Sequence, residues 1–249
     1  MEIYERFAEV YDACMQDAPY GLWAEQIEAI WNKHSFKPEL VLELGCGTGN
    51  MTYRFAERGF DMIAVDISDA MLSVAAGKFP RLKGRIQFIR QDMRELELYG
   101  TADAAYSVFD CVNYVTEDGG LLKVFMSVYN YLNPGGLFVF DANTEKKYAR
   151  FAADGPRCFD SDKFSYIWDN AYNEDTKINE CEAVFFIRDE KTGTYEKFTE
   201  YHYQRAYSRG EIKKTALAAG FEFTGSLDAS TMKYAGGKSE RIYYILKKI

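Results

Sequence analysis

A glycine-rich segment that follows a short apolar stretch constrains the fold of this chain more than any other feature. Residues 41–44 read as a buried strand, and Gly45, Gly47 and Gly49 follow at alternate positions, before a helix predicted to begin near Asn50. Glycine accepts positive φ and has no Cβ to keep a ligand away from the backbone. A glycine turn between a strand and a helix is where α/β proteins bind nucleotide-like ligands.

The glycine spacing alone leaves two interpretations open. The dinucleotide fingerprint is G-x-G-x-x-G, whereas the third glycine here, Gly49, comes one position early. The segment could therefore be a ligand-binding loop, or only a tight turn between a strand and a helix. The residues that follow it along the chain decide between the two.

Short apolar runs alternate with helical patterns through the first 142 residues. This alternation predicts a parallel sheet covered on both faces by helices, so we expect an α/β fold. An amphipathic helical segment is predicted before the first strand, within residues 1–34. The predicted strands span about residues 40–44, 62–65, 86–89, 104–108 and 137–140, and the predicted helices span about 51–57, 68–78 and 121–132.

A different pattern begins near residue 143. Residues 164–207 have no helical periodicity, and their β-rich runs predict an antiparallel insertion after the fifth strand. A capping box at Ser208 and Glu211 begins another helix, and two final strands are predicted after it. We therefore predict a ligand-binding domain of residues 1–142 and 208–249, with an N-terminal helical cap. Residues 143–207 are predicted to form a β-rich substrate lid.

Composition argues against several classes of protein. The 249 residues carry a net charge of -8 with a pI near 5.0, which disfavours nucleic acid as a partner. No apolar run approaches the roughly 20 residues of a membrane span, and no secretory signal pattern starts the chain. The five cysteines have no metal-ligand spacing. We expect a cytoplasmic, metal-free protein that is a monomer, or a homodimer paired through an exposed strand edge.

Acidic residues occur at or near the ends of three successive predicted strands. Glu43 lies in the first, Asp66 ends the second and Asp92 follows the third. A carboxylate at position 66 can accept hydrogen bonds from two adjacent ribose hydroxyls. Asp92 can accept one from an adenine amino group, with Met93 against the ring. Singly, each acid could be a helix cap or turn residue, but together they predict one nucleotide-like site, because the carboxyl ends of parallel strands share an edge.

At these residues the chain resembles the class I S-adenosylmethionine-dependent methyltransferases. The matching segments are residues 42–49, 65–72, 91–93 and the Asn-Pro-Gly-Gly turn at 133–136. The resemblance implies a Rossmann-like, seven-stranded sheet whose last strand is antiparallel. It also implies that Glu43 orders the glycine loop and the methionine amino group of the cofactor, and that Asp66 holds its ribose. The implied cofactor-binding residues are Tyr11, Glu43, Gly45, Cys46, Gly47, Gly49, Asp66, Ile67, Asp92, Met93 and Phe109.

The outer segments are similar to small-molecule methyltransferases, including sugar-amine N-methyltransferases. The similarity lies in Tyr4-x-x-Phe7-Ala8-x-x-Tyr11-Asp12 and in the β-rich insertion. It implies that Tyr11 reaches over the cofactor, although aromatic packing on an amphipathic helix explains the pattern equally well. The segment after the fourth strand lacks the Asn/Asp-Pro-Pro-Tyr motif of enzymes that methylate amide or adenine nitrogens. Its absence argues against those acceptors.

Several residues are candidates for contact with the methyl acceptor. In the strand around residue 202, Glu200, His202 and Gln204 should point one way and Arg205 the other. We hypothesise that His202 contacts the acceptor as a base, since its ordinary pKa suits proton removal near neutral pH. A half-buried strand histidine is the alternative. The candidate acceptor residues are Tyr4, Asn113, Tyr114, His202 and Arg205, and the candidate catalytic residues are His202 and Tyr11.

The sequence therefore predicts an enzyme that moves a methyl group from S-adenosylmethionine to a nitrogen or oxygen of a small-molecule acceptor by in-line displacement. A nicotinamide-dependent oxidoreductase is one alternative, but the early third glycine and the Asp92–Met93 pair count against it. A tRNA or protein methyltransferase of the same fold is another. A binding protein that has kept the cofactor pocket without turnover is a third.

Overall fold

The computed structural model describes residues 7–78, 80–82 and 84–249. The helices are α1 (Ala8–Cys14), α2 (Tyr20–Lys33), α3 (Asn50–Glu57), α4 (Asp69–Lys78), α5 (Gly120–Tyr131), α6 (Glu145–Asp154) and α7 (Arg209–Ala218), with short 3-10 helices at Pro80–Leu82 and Cys111–Tyr114. The strands are β1 (Leu40–Leu44), β2 (Asp61–Asp66), β3 (Ile86–Arg90), β4 (Ala102–Ser107), β5 (Leu132–Asn143), β6 (Arg157–Asp160), β7 (Phe164–Asn173), β8 (Ile178–Arg188), β9 (Tyr195–Arg205), β10 (Phe221–Asp228) and β11 (Arg241–Lys248).

The larger sheet has seven strands in the order β10-β11-β5-β4-β1-β2-β3. The first five strands of the chain pair in parallel, whereas β11 runs antiparallel to both β5 and β10. The predicted fold class is therefore confirmed, including the antiparallel last strand. Across the described residues, no helix is long and apolar enough to span a membrane.

Both faces of this sheet are buried against helices. Leu42 and Phe138 belong to an apolar core that includes residues of α5 and α7. Val41 and Val139, their neighbours along the same strands, belong to a second core with residues of α2 and α3. Successive side chains of a strand point to opposite faces, so a strand buried on both sides reads as a continuous apolar run. This explains why the strand signal of the sequence was reliable.

The insertion after β5 contains a four-stranded antiparallel sheet in the order β6-β7-β8-β9. The three predicted β-rich runs are confirmed as β7, β8 and β9. Helix α6 and strand β6 were not predicted. Tyr148 is the one buried residue of α6 among the described residues, and the rest of the helix is exposed or partly buried. The division into a domain and a substrate lid stays a prediction.

Helix α1 packs on the inserted sheet. Phe7, which precedes the helix, and Val10 share an apolar cluster with Ala183 and Phe185 of β8. The Phe7 and Phe185 ring centroids are 4.6 Å apart. The backbone N–H of Phe7 donates to the Glu200 carboxylate at 3.1 Å, so β9 also holds the start of this helix.

Candidate active site

A cavity of about 390 Å³ lies at the carboxyl ends of β1, β2, β3 and β4. This is the edge at which open α/β sheets bind ligands. All of the predicted cofactor-binding residues except Gly49 line this first cavity. The sequence did not identify Tyr20, Asn50, Met71, Gln91, Arg94 and Tyr203, which line it as well.

Each of the three glycines in the loop is favoured for a different structural reason. All have positive φ, at +71° for Gly45, +54° for Gly47 and +78° for Gly49. A Cβ on Gly45 would lie 2.6 Å from the Cys111 Sγ, whereas one on Gly47 would meet open space. A Cβ on Gly49 would come within 3.2 Å of the Ala75 side chain. Gly49 therefore serves helix packing at the start of α3, which explains its absence from the cavity wall.

Asp66 joins the loops that follow β1 and β2. Its two carboxylate oxygens accept hydrogen bonds from the N–H groups of Gly47, at 2.7 Å, and Ser68, at 2.9 Å. Burial raises the pKa of Asp66, and the backbone N–H donors oppose this effect. Because a carboxylate has about four acceptor sites, each oxygen keeps capacity for a ligand hydroxyl.

Glu43 is a buried carboxyl group on the cavity wall. Burial raises its pKa to about 8, although hydrogen bonds from Thr52 and Tyr106 act in the opposite direction. The Thr52 hydroxyl donates to Glu43 Oε2. A positively charged ligand would favour the ionised form of such a group. Without such a ligand, the Glu43 carboxyl group is mostly protonated at pH 7.

Asp92 is held by a neighbouring arginine. Arg94 Nε donates to Asp92 Oδ1 at 2.8 Å, and Arg94 Nη1 lies 2.5 Å from Glu117 Oε1. Partial burial raises the pKa of Asp92, but the hydrogen bonds and charge of Arg94 outweigh burial and leave this pKa below its ordinary value. Asp92 is thus an ionised acceptor at the cavity edge, with Met93 beside it on the wall. Arg94 was missed because it belongs to no motif.

Asp12 ties α1 to the glycine loop. Its Oδ1 accepts hydrogen bonds from Thr48 Oγ1 at 2.7 Å and Asn50 Nδ2 at 2.9 Å, and its Oδ2 accepts one from Lys78 Nζ at 2.6 Å. Burial raises the pKa of Asp12, but these donors outweigh it and lower the pKa overall. The next residue back, Tyr11, is thereby held on the cavity wall.

A second cavity of about 210 Å³ adjoins the first. Tyr11, Phe109 and Tyr114 line both cavities, so these three aromatic residues form a shared wall. Beyond this wall, the second cavity is bounded by β5, α6, the inserted sheet and β11. Its other lining residues are Phe7, Met15, Asp110, Asn143, Lys147, Phe151, Arg157, Trp168, Asn170, Cys181, His202, Gln204 and Arg241.

A strained turn after β4 positions one residue of the shared wall. Phe109 and Asp110 both have positive φ, at 69° and 55°, a conformation that costs a non-glycine residue about 1–2 kcal/mol. Their N–H groups donate to the Asp141 carboxylate at 3.0 and 2.6 Å. Arg241 bridges Asp141 at 3.0 Å and Asp110 at 2.5 Å. Backbone strain that is held by such a network is typical of functional sites.

His202 lies buried on β9 in the second cavity. Its Nδ1 is 3.3 Å from the Tyr114 hydroxyl, and its Nε2 is 3.6 Å from Glu200 Oε2. Burial lowers the pKa of His202 to about 4, with Asp110 partly opposing the effect. The imidazole is therefore neutral at pH 7, with one ring nitrogen that can accept a hydrogen bond, and it is a weaker base than an exposed histidine. The other histidine, His34, is exposed at the end of α2.

The predicted alternation along β9 is confirmed. Glu200, His202 and Gln204 are buried, whereas Tyr201 and Tyr203 are 49% and 45% exposed. The opposite face is not remote from the site, however, because Tyr203 also lines the first cavity. The alternation correctly separated the two faces but did not tell which groups each face meets.

Arg205 and Asn113 were predicted to contact the methyl acceptor, but neither lies at either of the two cavities. Arg205 forms ion pairs with Asp118 at 2.8 Å and Glu211 at 3.1 Å, and it lines neither cavity. Asn113 is buried and also lines neither, because its Nδ2 donates to the backbone oxygens of Asn143 and Arg205. Both side chains join elements of the fold. Among the candidate acceptor residues, Tyr4 falls outside the described residues, and the structure brings together Tyr114 and His202.

The strand order, the glycine loop and the acidic cavity edge define a class I methyltransferase fold. A family model described as "Methyltransferase domain" matches residues 41–136. The Bacillus subtilis protein YqeM is 32% identical over 99% of this chain and 97% of its own length. A crystal structure of an S-adenosylmethionine-dependent methyltransferase from Clostridium acetobutylicum is 30% identical, covers 98% of each chain and has a TM-score of 0.86. The chain belongs to the family of S-adenosylmethionine-dependent methyltransferases.

A more distant structure shares the same fold. The sugar N-methyltransferase KedS8 from Streptoalloteichus is 15% identical, with a TM-score of 0.76, and covers all of this chain and 94% of its own. At that identity, the likeness concerns the architecture alone.

The residues of the first cavity fit S-adenosylmethionine. The loop backbone is open at Gly47, where no atom would meet a Cβ. Asp66 offers a carboxylate to a pair of hydroxyls, and Glu43 offers a buried acid to a cationic group. Met93 and Ile67 supply apolar surface on the same wall. This donor set suits a ligand that combines a ribose, a flat ring and a positive charge.

Proposed function

We propose that the protein transfers the methyl group of S-adenosylmethionine to a nitrogen or oxygen of a small-molecule acceptor that binds in the second cavity. The observation that carries this proposal is the wall of Tyr11, Phe109 and Tyr114 shared by the two cavities. When bound, the cofactor supplies a methyl group on a positively charged sulfur, which is a good leaving group. In-line displacement needs the acceptor nucleophile in contact with the methyl carbon, so the two ligands would have to meet beside these shared residues, aligned for transfer.

The cofactor-side residues would bind and orient. Asp66 would hold the ribose hydroxyls, Asp92 and Met93 the adenine, and Glu43 the cationic end of the ligand. Tyr11 would close the cavity, since Asp12 fixes α1 against the glycine loop. Water exclusion by this helix supports methyl transfer over hydrolysis.

His202 and Tyr114 would handle a proton of the acceptor. The Tyr114 hydroxyl can donate to Nδ1 of the neutral imidazole, 3.3 Å away, and its oxygen can then accept a hydrogen bond from the acceptor nucleophile. A proton released during methyl transfer would pass to His202 by this route only transiently, because burial lowers the pKa of the imidazole to about 4. The base is required only for an acceptor that is protonated at the working pH.

The size of the second cavity supports a small acceptor. Its volume of about 210 Å³ is below the roughly 300–1,000 Å³ of pockets for drug-sized ligands. The net charge of -8 disfavours a tRNA substrate. The fold shared with a sugar N-methyltransferase is compatible with a small acceptor.

Calorimetric titration with S-adenosylmethionine and, separately, NADH tests the cofactor side of the proposal. Saturable binding of S-adenosylmethionine alone is expected, with a loss of at least about tenfold in Asp66→Ala, because two ligand hydrogen bonds to a charged group disappear. Asp61→Ala is the matched control, since Asp61 is an exposed acid at the other end of β2. Equal affinity in the two variants, or binding of NADH, would contradict the assignment.

The acceptor side is tested by following S-adenosylhomocysteine release over a panel of small amines and phenols. His202→Ala should lower turnover, with unchanged affinity for S-adenosylmethionine, for acceptors that are protonated at the assay pH. His34→Ala should match the wild type. Unchanged turnover in His202→Ala would remove this residue from the proton route while leaving the cofactor assignment intact.

A further inference from the structure

We infer that the methyl acceptor carries an anionic group, a carboxylate or a phosphate, which Lys147 and Arg157 bind in the second cavity. This inference rests on the proposed function, because it takes the second cavity as the acceptor site. Both residues lie on the insertion after β5, Lys147 on α6 and Arg157 on β6. Neither belongs to the cofactor cavity.

The charges that line the second cavity favour an anion. In the part of the chain that the structure describes, three cationic side chains line it, Lys147, Arg157 and Arg241, against the single carboxylate of Asp110. Asp110 is already bound by Arg241 at 2.5 Å and by the Gln204 amide at 2.5 Å. The cavity carboxylate and one of the cations thus neutralise each other.

Nearby carboxylates outside the lining are also engaged. Asp141 accepts from two backbone N–H groups and pairs with Arg241 at 3.0 Å. Glu200 accepts from the Phe7 N–H and lies 3.6 Å from His202 Nε2. These acids therefore have partners of their own. Among the described residues, the carboxylate within 4.0 Å of either cation on the insertion is that of Asp154, 3.9 Å from Arg157.

Lys147 is the better placed of the two cations. Its Nζ donates to Asn143 Oδ1 at 2.8 Å, and no carboxylate of the described residues lies within 4.0 Å of it. An ammonium group has three donors, so two remain for a ligand. Burial, the largest influence, and the Arg241 charge lower the pKa of Lys147 to about 8, although Asp110, Asp141 and Glu240 raise it. The group is therefore mostly protonated at pH 7.

Arg157 and Lys147 both lie against the aromatic ring of Phe151. The Phe151 centroid is 4.5 Å from Arg157 Cζ and 5.3 Å from Lys147 Nζ. The nearest carboxylate oxygen to Arg157 among the described residues belongs to Asp154 and is 3.9 Å away; Arg150 binds that oxygen more closely, at 3.0 Å. Both cations contact the same ring and line the same cavity, so its wall carries two loosely paired positive charges that can bind an anionic group.

Aromatic side chains also line the second cavity. Trp168 is one of them, and its indole Nε1–H is buried away from the cavity surface. The rings of Phe7 and Trp168, with centroids 6.3 Å apart, supply apolar surface for the rest of the molecule. The acceptor class is therefore a small, flat or apolar molecule with one anionic group.

The test uses the full-length protein saturated with S-adenosylhomocysteine and calorimetric titration with benzoate, phenyl phosphate and benzamide. One or both anions should bind at least about tenfold more tightly than benzamide, because a charge-assisted hydrogen bond replaces a neutral one. The stronger of the two anions identifies a carboxylate or a phosphate site. Lys147→Met and Arg157→Gln should each weaken anion binding about tenfold, whereas Lys147→Arg should retain most of it.

Lys146→Met is the matched control, since Lys146 is the exposed neighbour on α6, bonded to the Lys238 carbonyl. Its anion affinity should equal that of the wild type. Benzamide that binds as well as benzoate, no binding of either anion, or full anion affinity in Lys147→Met would overturn the inference. Unchanged S-adenosylhomocysteine affinity in the variants shows that they are folded. It also separates failure of this inference from failure of the proposed function, which would appear as lost cofactor binding.

Discussion

Replacement of Gly45 by alanine tests whether the cofactor loop is constrained by a side chain that packs behind it. Gly45 has a φ of +71°, and its N–H donates to the Val65 oxygen at 2.8 Å. An alanine Cβ would lie 2.6 Å from the Sγ and 2.9 Å from the Cβ of Cys111. Cys111 has little room to withdraw, because its Sγ already lies 3.1 Å from the Val108 oxygen and 3.4 Å from the Gly45 oxygen.

The expected cost has two parts that a matched variant separates. A left-handed conformation costs an alanine about 1–2 kcal/mol, and forcing extra volume into a packed site costs about 1–3 kcal/mol. Gly45→Ala should therefore lower the free energy of unfolding by about 2–5 kcal/mol. Gly47 also has positive φ, at +54°, but its Cβ would meet no atom within 4 Å. Gly47→Ala should carry the conformational cost alone.

Urea unfolding of the two variants measures the difference. Cys111→Ala in the Gly45→Ala background should recover part of the loss, since it removes the Sγ contact at 2.6 Å and leaves the Cβ contact at 2.9 Å. A double-mutant cycle isolates this coupling. Equal destabilisation by Gly45→Ala and Gly47→Ala, together with zero coupling to Cys111, would refute the reasoning. The loop would then be set by backbone conformation without help from the 3-10 helix behind it.

Two further predictions concern groups on either side of the first cavity. Asp12→Asn should speed S-adenosylhomocysteine release about tenfold, because α1 loses an ion pair and its hydrogen bonds to the loop weaken. Stopped-flow measurement of the dissociation rate checks this prediction. The control is Asp17→Asn, which changes an exposed residue and should match the wild type. Glu43→Gln should flatten the pH dependence of stability. The folded pKa of about 8 exceeds the ordinary 4.5, so wild-type stability is lost as pH rises from about 4.5 to 8, by at most about 5 kcal/mol at about 1.4 kcal/mol per pKa unit. A constant wild-type-to-variant difference between pH 5 and 8 would contradict it.

The parallel sheet could be predicted because its signals are local. The central strands of the larger sheet, such as β1 and the second half of β5, carry their own apolar runs, and the glycines and acids lie within a few residues of strand ends. Asp66 illustrates this, since its bond to the Gly47 N–H follows from two neighbouring strands that end at the same edge. The residues predicted to bind the cofactor could therefore be placed in one cavity from local sequence patterns, without knowledge of long-range contacts.

The acceptor side could not be predicted in the same way. The network that holds Phe109 joins Asp110, Asp141 and Arg241, which are separated by 31 to 131 residues and follow no spacing rule. Lys147 lies on α6, a helix with one buried residue, and no sequence motif marks this lysine. The alternation of β9 correctly placed His202 and Arg205 on opposite faces of the strand. The alternation could not show that Arg205 forms ion pairs with Asp118 and Glu211, which belong to other segments of the chain.

Helix α1 connects the two halves of the site, which gives the short N-terminal segment a disproportionate role. Its Asp12 is bound by the glycine loop, and Phe7 before it packs on β8 of the inserted sheet. Tyr11, between these anchors, lines both cavities. One seven-residue helix therefore fixes the separation between the cofactor cavity and the second cavity. A helix this short is unstable alone, so its position depends on both anchors, which hold Tyr11 between the two cavities.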